Sequence, residues 1–452
     1  MTTRVVIIGA GLTGLSTAYK LKQAGVSFCV LESSERVGGV IQTQSQDGFV
    51  VEGGPNSGVI GNTEVIKLFD QLGNACTLEE AKDAVKKRYI LKNGKWHALP
   101  MGIWSAITTP LFSLYDKFRI LGEPFRRPGT DPHESLAALV QRRMGKSFLN
   151  YAIDPFILGV YAGDPALLVP KYALPKLYNL EQTYGSFIGG TIKKGREPKT
   201  EIEKRVSRKV FSVKGGLQSL TDTLYEKAGN ENFVLSAKDV SVKPLEKGFE
   251  ISYKHNGVGH KLQCEQVITT TGAFTLAAIL PFVANETMQK ITNLHHTRVV
   301  ELQLGFRKWN GIPLDGFGGL IPFRENRQIL GVMYMSSLID NRAPEGGALC
   351  AVFVGGVRRQ DLYELPDKEL LEIALREFDT LMQTNGQKPD FVAFNRYEKA
   401  IPQYYANSGA RFEACDTIEA QYPGLYIGGN LRDGIGMADR IQQAANLAKK
   451  VI

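Results

Sequence analysis

The sequence predicts an α/β fold, α+β overall, in which the two ends of the chain build one domain. Three observations lead to this prediction. An apolar strand runs through a glycine turn into a helix over residues 4–23, and a second strand, glycine turn and helix follow over residues 425–450. Between residues 100 and 208 the apolar residues recur at helical spacing. We therefore expect a parallel-sheet domain made from both chain ends, a mixed-sheet domain and an inserted helical domain.

The composition sets the size and the general class of the protein. With 452 residues, 43% of them hydrophobic, the chain is long enough for two or three domains that each bury a core. Its net charge of +8 is mild for this length. The five cysteines form no CxxC pair, which argues against a metal site or a disulfide framework. Reduced, mostly buried thiols in a cytoplasmic protein are the better interpretation.

We expect neither a signal peptide nor a membrane-spanning helix. Residues 4–8 already belong to the first predicted strand, so they do not form a signal segment. The longest uncharged stretch, residues 96–115, is interrupted by His97, Pro100, Gly102 and Pro110. A span needs about 20 mainly apolar residues. The stretch is compatible with a segment that lies on a membrane surface.

The first forty residues contain a strand, a glycine turn and a helix. In such a turn Gly9 allows the tight bend, Gly11 lets the backbone approach a pyrophosphate, and Gly14 lets the helix pack closely on the strand. Glu32 stands 18 residues beyond Gly14, at the end of the second strand, where a carboxylate can accept hydrogen bonds from an adenosine ribose. The pattern predicts a Rossmann-like dinucleotide-binding domain, with contacts from Gly9, Ala10, Gly11, Leu12, Thr13, Gly14 and Glu32.

The residues after Glu32 distinguish between dinucleotides. From Glu32 to Gly39 the sequence reads Glu-x-x-x-Arg-x-Gly-Gly. This resembles the extended fingerprint of flavoproteins of the amine oxidase and phytoene desaturase superfamily, which nicotinamide dehydrogenases lack. The resemblance implies FAD as the cofactor, with Arg36 and the second glycine turn facing its diphosphate. It also places Ser33, Gly39 and Val40 at the cofactor.

Another glycine turn follows a short predicted strand at residues 49–53. Gly54, Pro55, Asn56 and Ser57 suit a backbone that passes close to a flat ring, although an ordinary turn has the same composition. In the flavoprotein superfamily this stretch resembles the loop beneath the isoalloxazine and the ribityl chain. The resemblance therefore implies flavin contacts from these four residues.

Residues 61–99 and 276–395 are assigned to a substrate-binding domain. We predict a helix over residues 63–72 and a hairpin of residues 87–91 and 95–99 across Asn93-Gly94. Arg88 on this hairpin could bind a carboxylate through its planar guanidinium, or it could simply be solvated. In four further segments apolar and polar residues alternate as in strands of an antiparallel sheet: residues 298–306, 319–322, 329–335 and 349–354. We also predict a helix at residues 367–382.

The predicted helical domain, residues 100–204, has a helix that starts near residue 130 and ends at Gly145. It carries a series of motifs: Glu134-Ser135-Leu136, Arg142-Arg143-Met144-Gly145, Asp154-Pro155, Gly159-Val160-Tyr161-Ala162-Gly163-Asp164-Pro165, Pro175-Lys176-Leu177, Glu181 and Gly185-Ser186. In order and spacing they resemble the family of protoporphyrinogen oxidases and flavoprotein-type coproporphyrinogen III oxidases. Amine oxidases and phytoene desaturases do not carry the run at residues 159–164.

The resemblance to the porphyrinogen oxidases names candidate substrate contacts. It implies that Arg88 pairs with a propionate and that Asn56 lies near both the macrocycle and the flavin. Leu320, Leu330 and Phe353 are most simply core residues. By resemblance to the plant enzyme of the family, these three would instead sandwich the tetrapyrrole macrocycle.

Residues 205–275 and 396–452 complete the FAD-binding domain that residues 1–60 begin. We predict a hairpin of residues 249–253 and 261–264 and a separate strand at residues 266–271. By resemblance, the backbone of Val240 faces the adenine. The helix after Gly436 would direct its positive end at the flavin N1–C2 carbonyl edge. The expected contacts from the carboxy-terminal part are Tyr397, Gly429, Gly436, Met437 and Ala438.

Residues 193–209 form a basic run of eight cations against three glutamates. Such a run is usually a solvated loop. It could also be attracted to an anionic membrane surface or to substrate carboxylates. Because aromatic residues do not alternate with the cations, we expect no nucleic-acid partner.

The chain shows no paired-carboxylate, Ser/His/Asp or metal-ligand pattern, so the flavin would carry the chemistry and no metal is expected. The resemblance implies six-electron oxidation of protoporphyrinogen IX to protoporphyrin IX in heme biosynthesis, with O2 as the acceptor and H2O2 released. Coproporphyrinogen III is the alternative substrate. It has four propionates rather than two and would prefer a more basic pocket, whereas the apolar segment 96–115 favours protoporphyrinogen. A flavin amine oxidase and a catalytically silent flavoprotein are further alternatives.

The expected location is cytoplasmic, with peripheral attachment to the cytoplasmic face of a membrane as one possibility for residues 100–204. The electron acceptor is O2 or another oxidant. A homodimer is compatible with the sequence.

Overall fold

The computed structural model describes residues 2–82 and 86–452. Its strands are β1 (Thr2–Ile8), β2 (Phe28–Leu31), β3 (Gln42–Gln46), β4 (Phe49–Gly53), β5 (Gly58–Val59), β6 (Leu78–Glu80), β7 (Arg88–Lys92), β8 (Lys95–Ala98), β9 (Val210–Val213), β10 (Phe233–Val234), β11 (Lys238–Pro244), β12 (Phe249–His255), β13 (Val258–Thr269), β14 (Val299–Phe306), β15 (Gly318–Leu320), β16 (Gly331–Tyr334), β17 (Ala348–Gly355), β18 (Phe391–Tyr397) and β19 (Leu425–Ile427).

The helices follow the same order along the chain. They are α1 (Leu12–Gln23), α2 (Thr63–Leu72), α3 (Ile103–Thr108), α4 (Leu114–Leu121), α5 (Leu136–Arg143), α6 (Lys146–Phe148), α7 (Asp154–Tyr161), α8 (Pro170–Ala173), α9 (Pro175–Tyr184), α10 (Phe187–Gly195), α11 (Glu201–Lys204), α12 (Gln218–Ala228), α13 (Leu276–Ile279), α14 (Asn285–Thr292), α15 (Met335–Leu338), α16 (Gln360–Tyr363), α17 (Asp367–Met382), α18 (Ser408–Gln421) and α19 (Met437–Val451). A π-helical turn, Leu149–Ile153, leads directly into α7.

The first sheet brings the two ends of the chain together. Its strand order is β10-β2-β1-β13-β12-β11, and β19 pairs in parallel with the end of β13. β1 lies in parallel between β2 and β13, and α1 packs against α19 in one apolar core with residues such as Leu15 and Ile441. A hydrogen bond from Arg4 Nη2 to Val451 O (2.9 Å) also joins the termini. The predicted Rossmann-like domain from both chain ends is confirmed.

The longest strand of this sheet corrects one prediction. We predicted a hairpin strand at residues 261–264 and a separate strand at residues 266–271, but β13 is one strand. Its first half pairs antiparallel with β12, and its second half pairs in parallel with β1. No turn residue separates Cys264 from Gln266, so the backbone stays extended through both pairings.

The second sheet has the order β18-β14-β17-β16-β15-β7-β8. Its pairs are antiparallel except β7 with β15, which are parallel, so the sheet is mixed as predicted. Helix α17, predicted at residues 367–382, covers one face through Leu370 and Phe378, which pack on Val300 and Leu302. The opposite face meets β4 through Phe49 and Val51 and meets α7 through Leu158.

Helical structure occupies residues 103–204, as the periodicity predicts. The helix that we predicted from residue 130 begins later, since Asp131 accepts a hydrogen bond from His133 N (2.8 Å) in a turn and Ser135 caps α5 instead. Inside this segment the guanidinium of Arg143 is fully buried. It pairs with the equally buried carboxylates of Glu123 and Glu181.

Two segments pack differently from the simple division into domains. Helices α13 and α14 pack through Leu276 and Ile291 on the core of the first sheet, beside Val267. Strand β18 continues the second sheet as far as Tyr397. The domain limits at residues 275 and 396 remain predictions.

Candidate active site

The amino-terminal glycine turn has one closed side and one open side. Gly9 has a φ of +104°, which favours glycine. A Cβ on Gly14 would lie 2.0 Å from Gly9 O, so only glycine lets α1 approach the strand. A Cβ on Gly11 would meet no atom within 4 Å. The backbone at the start of α1 therefore faces open space, as a diphosphate site requires.

Glu32 is buried beneath this turn. Its Oε2 accepts a hydrogen bond from Ala10 N (2.7 Å), and its Oε1 accepts from Ser34 N (2.8 Å) and Ser33 Oγ (3.2 Å). The carboxylate thus fixes the glycine turn to the end of β2. Because each carboxylate oxygen has two lone pairs, Oε2 can still accept from a ribose hydroxyl.

The second glycine turn lies directly against the first. Gly38 N donates to Ala10 O (2.8 Å), and a Cβ on Gly39 would lie 3.3 Å from Gly11 Cα. The guanidinium of Arg36 donates to the carbonyls of Val37 (3.1 Å), Gly39 (2.7 Å) and Ile41 (2.9 Å), which bends this segment around it. Val40 projects outward at the end of the turn.

The loop at residues 54–57 continues the same surface. Gly54 has a φ of +80°, and a Cβ there would lie 2.5 Å from Val40 O. Gly54 N donates to the hydroxyl of Tyr397 (2.7 Å), so a residue near the carboxy end positions this loop. Pro55 and Ser57 flank Asn56, whose side chain is buried.

The carboxy-terminal elements close the arrangement. Gly429 N donates to Gln443 Oε1 (2.8 Å). Gly436 is the N-cap residue of α19, and its N–H donates to Asp439 Oδ2 (3.1 Å). Asn62 Nδ2 donates to Ala438 O (2.8 Å), so the first turn of α19, with Met437, lies beside the segment that follows residues 54–57. Two long helices, α1 and α19, therefore begin at the connected loops.

Val240 stands apart from the other predicted cofactor residues. It lies on β11, next to a register shift between Lys238 and Ser241, and two strands separate β11 from β1. The nearest link to the glycine turns is Ala237 N, which donates to Glu32 O (2.8 Å).

The predicted substrate residues share one face of the second sheet. Ile90, Leu320, Gly331, Phe353 and Glu301 are in register across five strands, so the side chains of Ile90, Leu320, Phe353 and Glu301 point to the same side. This is the face opposite to α17. The remaining predicted residues lie at its margins: Arg88 precedes Ile90 by two positions, and Leu330 N donates to Phe353 O (2.7 Å).

The motif at residues 159–163 covers this face. A Cβ on Gly159 would lie 2.5 Å from Leu320 Cδ2, so glycine lets α7 approach the sheet. Leu330 packs with Leu158 and Ala162, and Phe353 is half-buried beside them. The three apolar residues thus form part of a core and also line the contact between sheet and helical segment.

Arg88 is exposed at the edge of the sheet, with its guanidinium 5.3 Å from the centre of the Phe317 ring. Within residues 2–82 and 86–452 it has no carboxylate partner. Lys92, on the same face of β7, is engaged: its Nζ donates to Pro110 O (2.8 Å) and Leu111 O (2.9 Å). Burial and the neighbouring Arg324 lower the pKa of Lys92.

The family model of flavin-containing amine oxidoreductases matches residues 12–452. The chain belongs to this family. It is therefore a flavin-dependent oxidoreductase, and FAD is its cofactor. The mitochondrial protoporphyrinogen oxidase of Nicotiana tabacum is 32% identical, over 99% of this chain and 94% of that protein. The coproporphyrinogen III oxidase of Bacillus subtilis is 28% identical, over 97% and 96%.

Solved structures share the fold. A protein of Exiguobacterium sp. 255-15, provisionally described as a protoporphyrinogen oxidase, matches with a TM-score of 0.81 at 22% identity and covers 99% of this chain and 98% of its own. Reduced UDP-galactopyranose mutase matches with a TM-score of 0.73 at 14% identity, over 99% and 94%. At these identities the likeness supports the architecture only.

The site of this family member includes a group that the sequence patterns did not single out. Glu301 is 1% exposed, and its carboxyl accepts hydrogen bonds from Asn56 Nδ2 (2.6 Å) and Gln303 Nε2 (2.8 Å). Burial, above all, raises the pKa of Glu301 to about 8. A second buried carboxylate, Glu52, pairs with Arg342 at 2.8 Å. The signal in the sequence was the pair of polar residues at alternate positions of an otherwise apolar strand.

The five cysteines are free, and four of them are buried. Among the described residues no group of three or more His, Cys, Asp or Glu side chains could hold a metal ion. No helix in the described ranges is long and apolar enough to cross a membrane.

Proposed function

We propose that this protein oxidises a porphyrinogen to the corresponding porphyrin, with protoporphyrinogen IX as the substrate. The observation that carries the proposal is the sheet face with Leu320, Leu330 and Phe353 under the motif at residues 159–163. A flat tetrapyrrole needs an apolar surface of this kind beside the flavin. Full-length similarity to protoporphyrinogen oxidases from several plants supports the same conclusion.

The chain's own residues fit FAD in two ways. The glycine turns at Gly11 and Gly39 leave room for a diphosphate, with the N-terminus of α1 behind it and Arg36 holding the second turn. Glu32 would accept from the ribose. The loop at residues 54–57 and the N-terminus of α19 would hold the isoalloxazine, which supplies hydride acceptance when FAD is bound.

Arg88 would orient the substrate. Its guanidinium is exposed, lacks an acidic partner in the described ranges, and lies two positions from Ile90 on the face that carries Leu320. A planar fork can bind a propionate in bidentate geometry. The macrocycle would then lie along the apolar row with its propionate edge towards Arg88.

The cations on this face favour the substrate with fewer propionates. Among the described residues Arg88 has no acidic partner, whereas Lys92 donates to two backbone carbonyls and lies 4.7 Å from the centre of the Tyr151 ring. Arg88 is therefore the cation of β7 that would be available to the propionate edge of protoporphyrinogen IX. Four propionates would call for more basic groups. Coproporphyrinogen III remains the alternative because the Bacillus subtilis relative is named for it.

The test compares the two substrates directly. Purified protein loaded with FAD is given protoporphyrinogen IX or coproporphyrinogen III in air, and porphyrin fluorescence and H2O2 are followed. We expect faster growth of protoporphyrin fluorescence, with H2O2 formed in step with electron removal. Faster turnover of coproporphyrinogen III would support the alternative, and a flavin-loaded protein that oxidises neither would contradict the proposal.

We further propose that the segment from α3 to residue 125 attaches the protein to a membrane surface. Trp104 is 80% exposed and Phe125 is 90% exposed. Six more apolar side chains of residues 101–125 are also exposed. They are Met101, Ile107, Leu114, Tyr115, Phe118 and Leu121. Exposed apolar side chains grouped in one segment are typical of an interaction surface. Lys117, Arg119 and Arg126 close by donate to backbone carbonyls, as Lys92 does, so we expect apolar contact to contribute more to the attachment than charge.

The basic run at residues 193–209 contributes less than its composition suggests. Lys204 pairs with Glu201, Arg205 with Asp70, and Lys209 with Glu80. The attachment is tested by cosedimentation with vesicles that contain phosphatidylglycerol. We expect binding to fall when Trp104 and Phe118 are both changed to Ser, and to persist in the control Val258→Ser, an exposed apolar residue on β13. Equal binding by both variants would contradict this attachment.

A further inference from the structure

Three buried polar side chains and the half-buried Tyr397 connect the loop at residues 54–57 to the proposed substrate face of the sheet. We call Glu301, Gln303, Asn56 and Tyr397 the Glu301 cluster. Glu301 Oε1 accepts hydrogen bonds from Asn56 Nδ2 (2.6 Å) and Gln303 Nε2 (2.8 Å), and its Oε2 faces the hydroxyl of Tyr397 at 3.4 Å. Gln303 Nε2 also donates to Asn56 Oδ1 (2.9 Å).

The Glu301 cluster makes hydrogen bonds to the loop at residues 54–57 at two positions. Tyr397 receives a hydrogen bond from Gly54 N, and Asn56 is itself part of the loop. The carboxyl of Glu301 therefore contacts both of the residues that hold the loop, Asn56 and Tyr397. We propose that Glu301 is a positioning residue of the flavin site, that it fixes this loop through Asn56 and Tyr397, and that its proton makes FAD binding depend on pH.

The surroundings of Glu301 offer little to compensate a negative charge. On β17 its neighbour is Phe353, and on β18 the neighbours are Asn395 and Tyr397. On β4 the titratable group is Glu52, whose charge disfavours a second carboxylate and is already paired with Arg342. Within the described ranges no cation pairs with Glu301 itself.

Burial raises the pKa of Glu301 although the hydrogen bonds that it accepts from Asn56, Tyr397 and Gln303 lower it. Gln303 Oε1 is buried and has no partner among the described residues. The cluster thus has an acceptor in excess, and an added proton on the carboxyl would supply a donor. Burial raises the pKa of Glu301 to about 8, so ionisation would occur just above neutral pH. Ionised Glu301 would keep its hydrogen-bond donors but would lack a cation partner among the described residues, so exposure of the carboxylate to water by opening of the loop would become more favourable.

The experiment measures FAD binding to the deflavinated protein. FAD is titrated by fluorescence quenching across about pH 6.5 to 9, in the wild type, in Glu301→Gln and in the control Glu377→Gln. Glutamine keeps the shape and cannot ionise. Glu377 is buried on α17, on the other side of the sheet, where it pairs with Arg327. No porphyrinogen is used, so failure here leaves the substrate proposal untouched.

For the wild type and Glu377→Gln we expect the Kd for FAD to rise about five- to tenfold over this range, with a midpoint near pH 8. The Kd of Glu301→Gln for FAD should be close to the wild-type value at the lowest pH and should stay unchanged up to the highest pH. An unchanged pH dependence in Glu301→Gln, or none in the wild type, would overturn the proposal. If Glu301→Gln does not fold, the absorption band of bound flavin in the wild type should still shift with a midpoint near pH 8, and a pH-invariant band would overturn it.

Discussion

Glu301 on β14 lies directly opposite Phe353 on β17 in the register of the second sheet. A buried carboxyl and the aromatic ring predicted to touch the macrocycle therefore occupy adjacent positions on one face. The same carboxyl is hydrogen-bonded to Asn56 in the loop at residues 54–57. The residues proposed to contact the flavin and those proposed to contact the substrate are thus connected through Glu301, so we expect a change in one group to affect the other.

The free energy of unfolding of the apoprotein should fall as pH rises through the range set by Glu301. In the unfolded chain this carboxyl ionises near its ordinary pKa of 4.5, and in the folded protein near 8. Between these values the folded state binds more protons, so stability is highest at the acidic end and declines towards pH 8.

Urea unfolding at about pH 5.5 and 8 measures this decline, which we expect to be about 1–3 kcal/mol. Glu301→Gln should lose the part of the decline that Glu301 causes and should be the more stable protein at the higher pH. A variant with the same slope as the wild type would show that the carboxyl ionises normally.

Two glycine substitutions should separate folding from cofactor binding. Gly11→Ala places a methyl group where no protein atom lies within 4 Å, so the apoprotein should keep its melting temperature and lose FAD affinity. Gly14→Ala drives a methyl group to 2.0 Å from Gly9 O and should destabilise the apoprotein itself. Thermal melts and FAD titration of both variants give the comparison. Gly195→Ala, with open space around it on α10, is the neutral control.

Removal of the Arg88 guanidinium should weaken substrate binding and leave turnover at saturation nearly unchanged. A charged hydrogen bond contributes about 1.5–3 kcal/mol, so Arg88→Ala should raise KM about 10- to 100-fold. Arg88→Lys should recover part of the loss because its charge remains without the fork. Lys95→Ala, an exposed cation of the same hairpin, controls for net charge. An unchanged KM in Arg88→Ala would remove the propionate assignment.

The buried ion cluster of the helical segment should be essential for its stability. Arg143→Met removes the cation that pairs with the buried carboxylate of Glu123 and leaves Glu181 paired with Arg142, at a cost of about 3–5 kcal/mol. Denaturant unfolding measures the loss. Arg205→Ala breaks an exposed pair with Asp70 and should have a far smaller effect. Similar losses of unfolding free energy in Arg143→Met and Arg205→Ala would contradict the expectation that the buried ion pair stabilises the fold more than the exposed one.

The sequence predicts best where the physics is local. The turn from Gly9 to Gly14, helix α2 and helix α17 follow from glycine spacing and apolar periodicity, and all three are found at the expected residues. The continuous strand β13 was missed because one strand serves two partners, and no local pattern in residues 258–269 reveals a change of partner.

The site was harder to predict because it depends on register. Leu320 and Phe353 come together only when strands far apart in the sequence pair across the sheet. Glu301 was overlooked because two polar residues at alternate positions of an apolar strand, here Glu301 and Gln303, match no functional motif. Its proposed role depends on the hydrogen bond from Asn56, which lies 245 residues away in the chain.

Anaerobic mixing of the FAD-loaded protein with protoporphyrinogen IX tests the central claim most directly. We predict that the flavin absorbance near 450 nm bleaches as porphyrin fluorescence appears, and that air restores the absorbance. A flavin that stays oxidised while protoporphyrinogen and coproporphyrinogen are each supplied in excess would contradict the account.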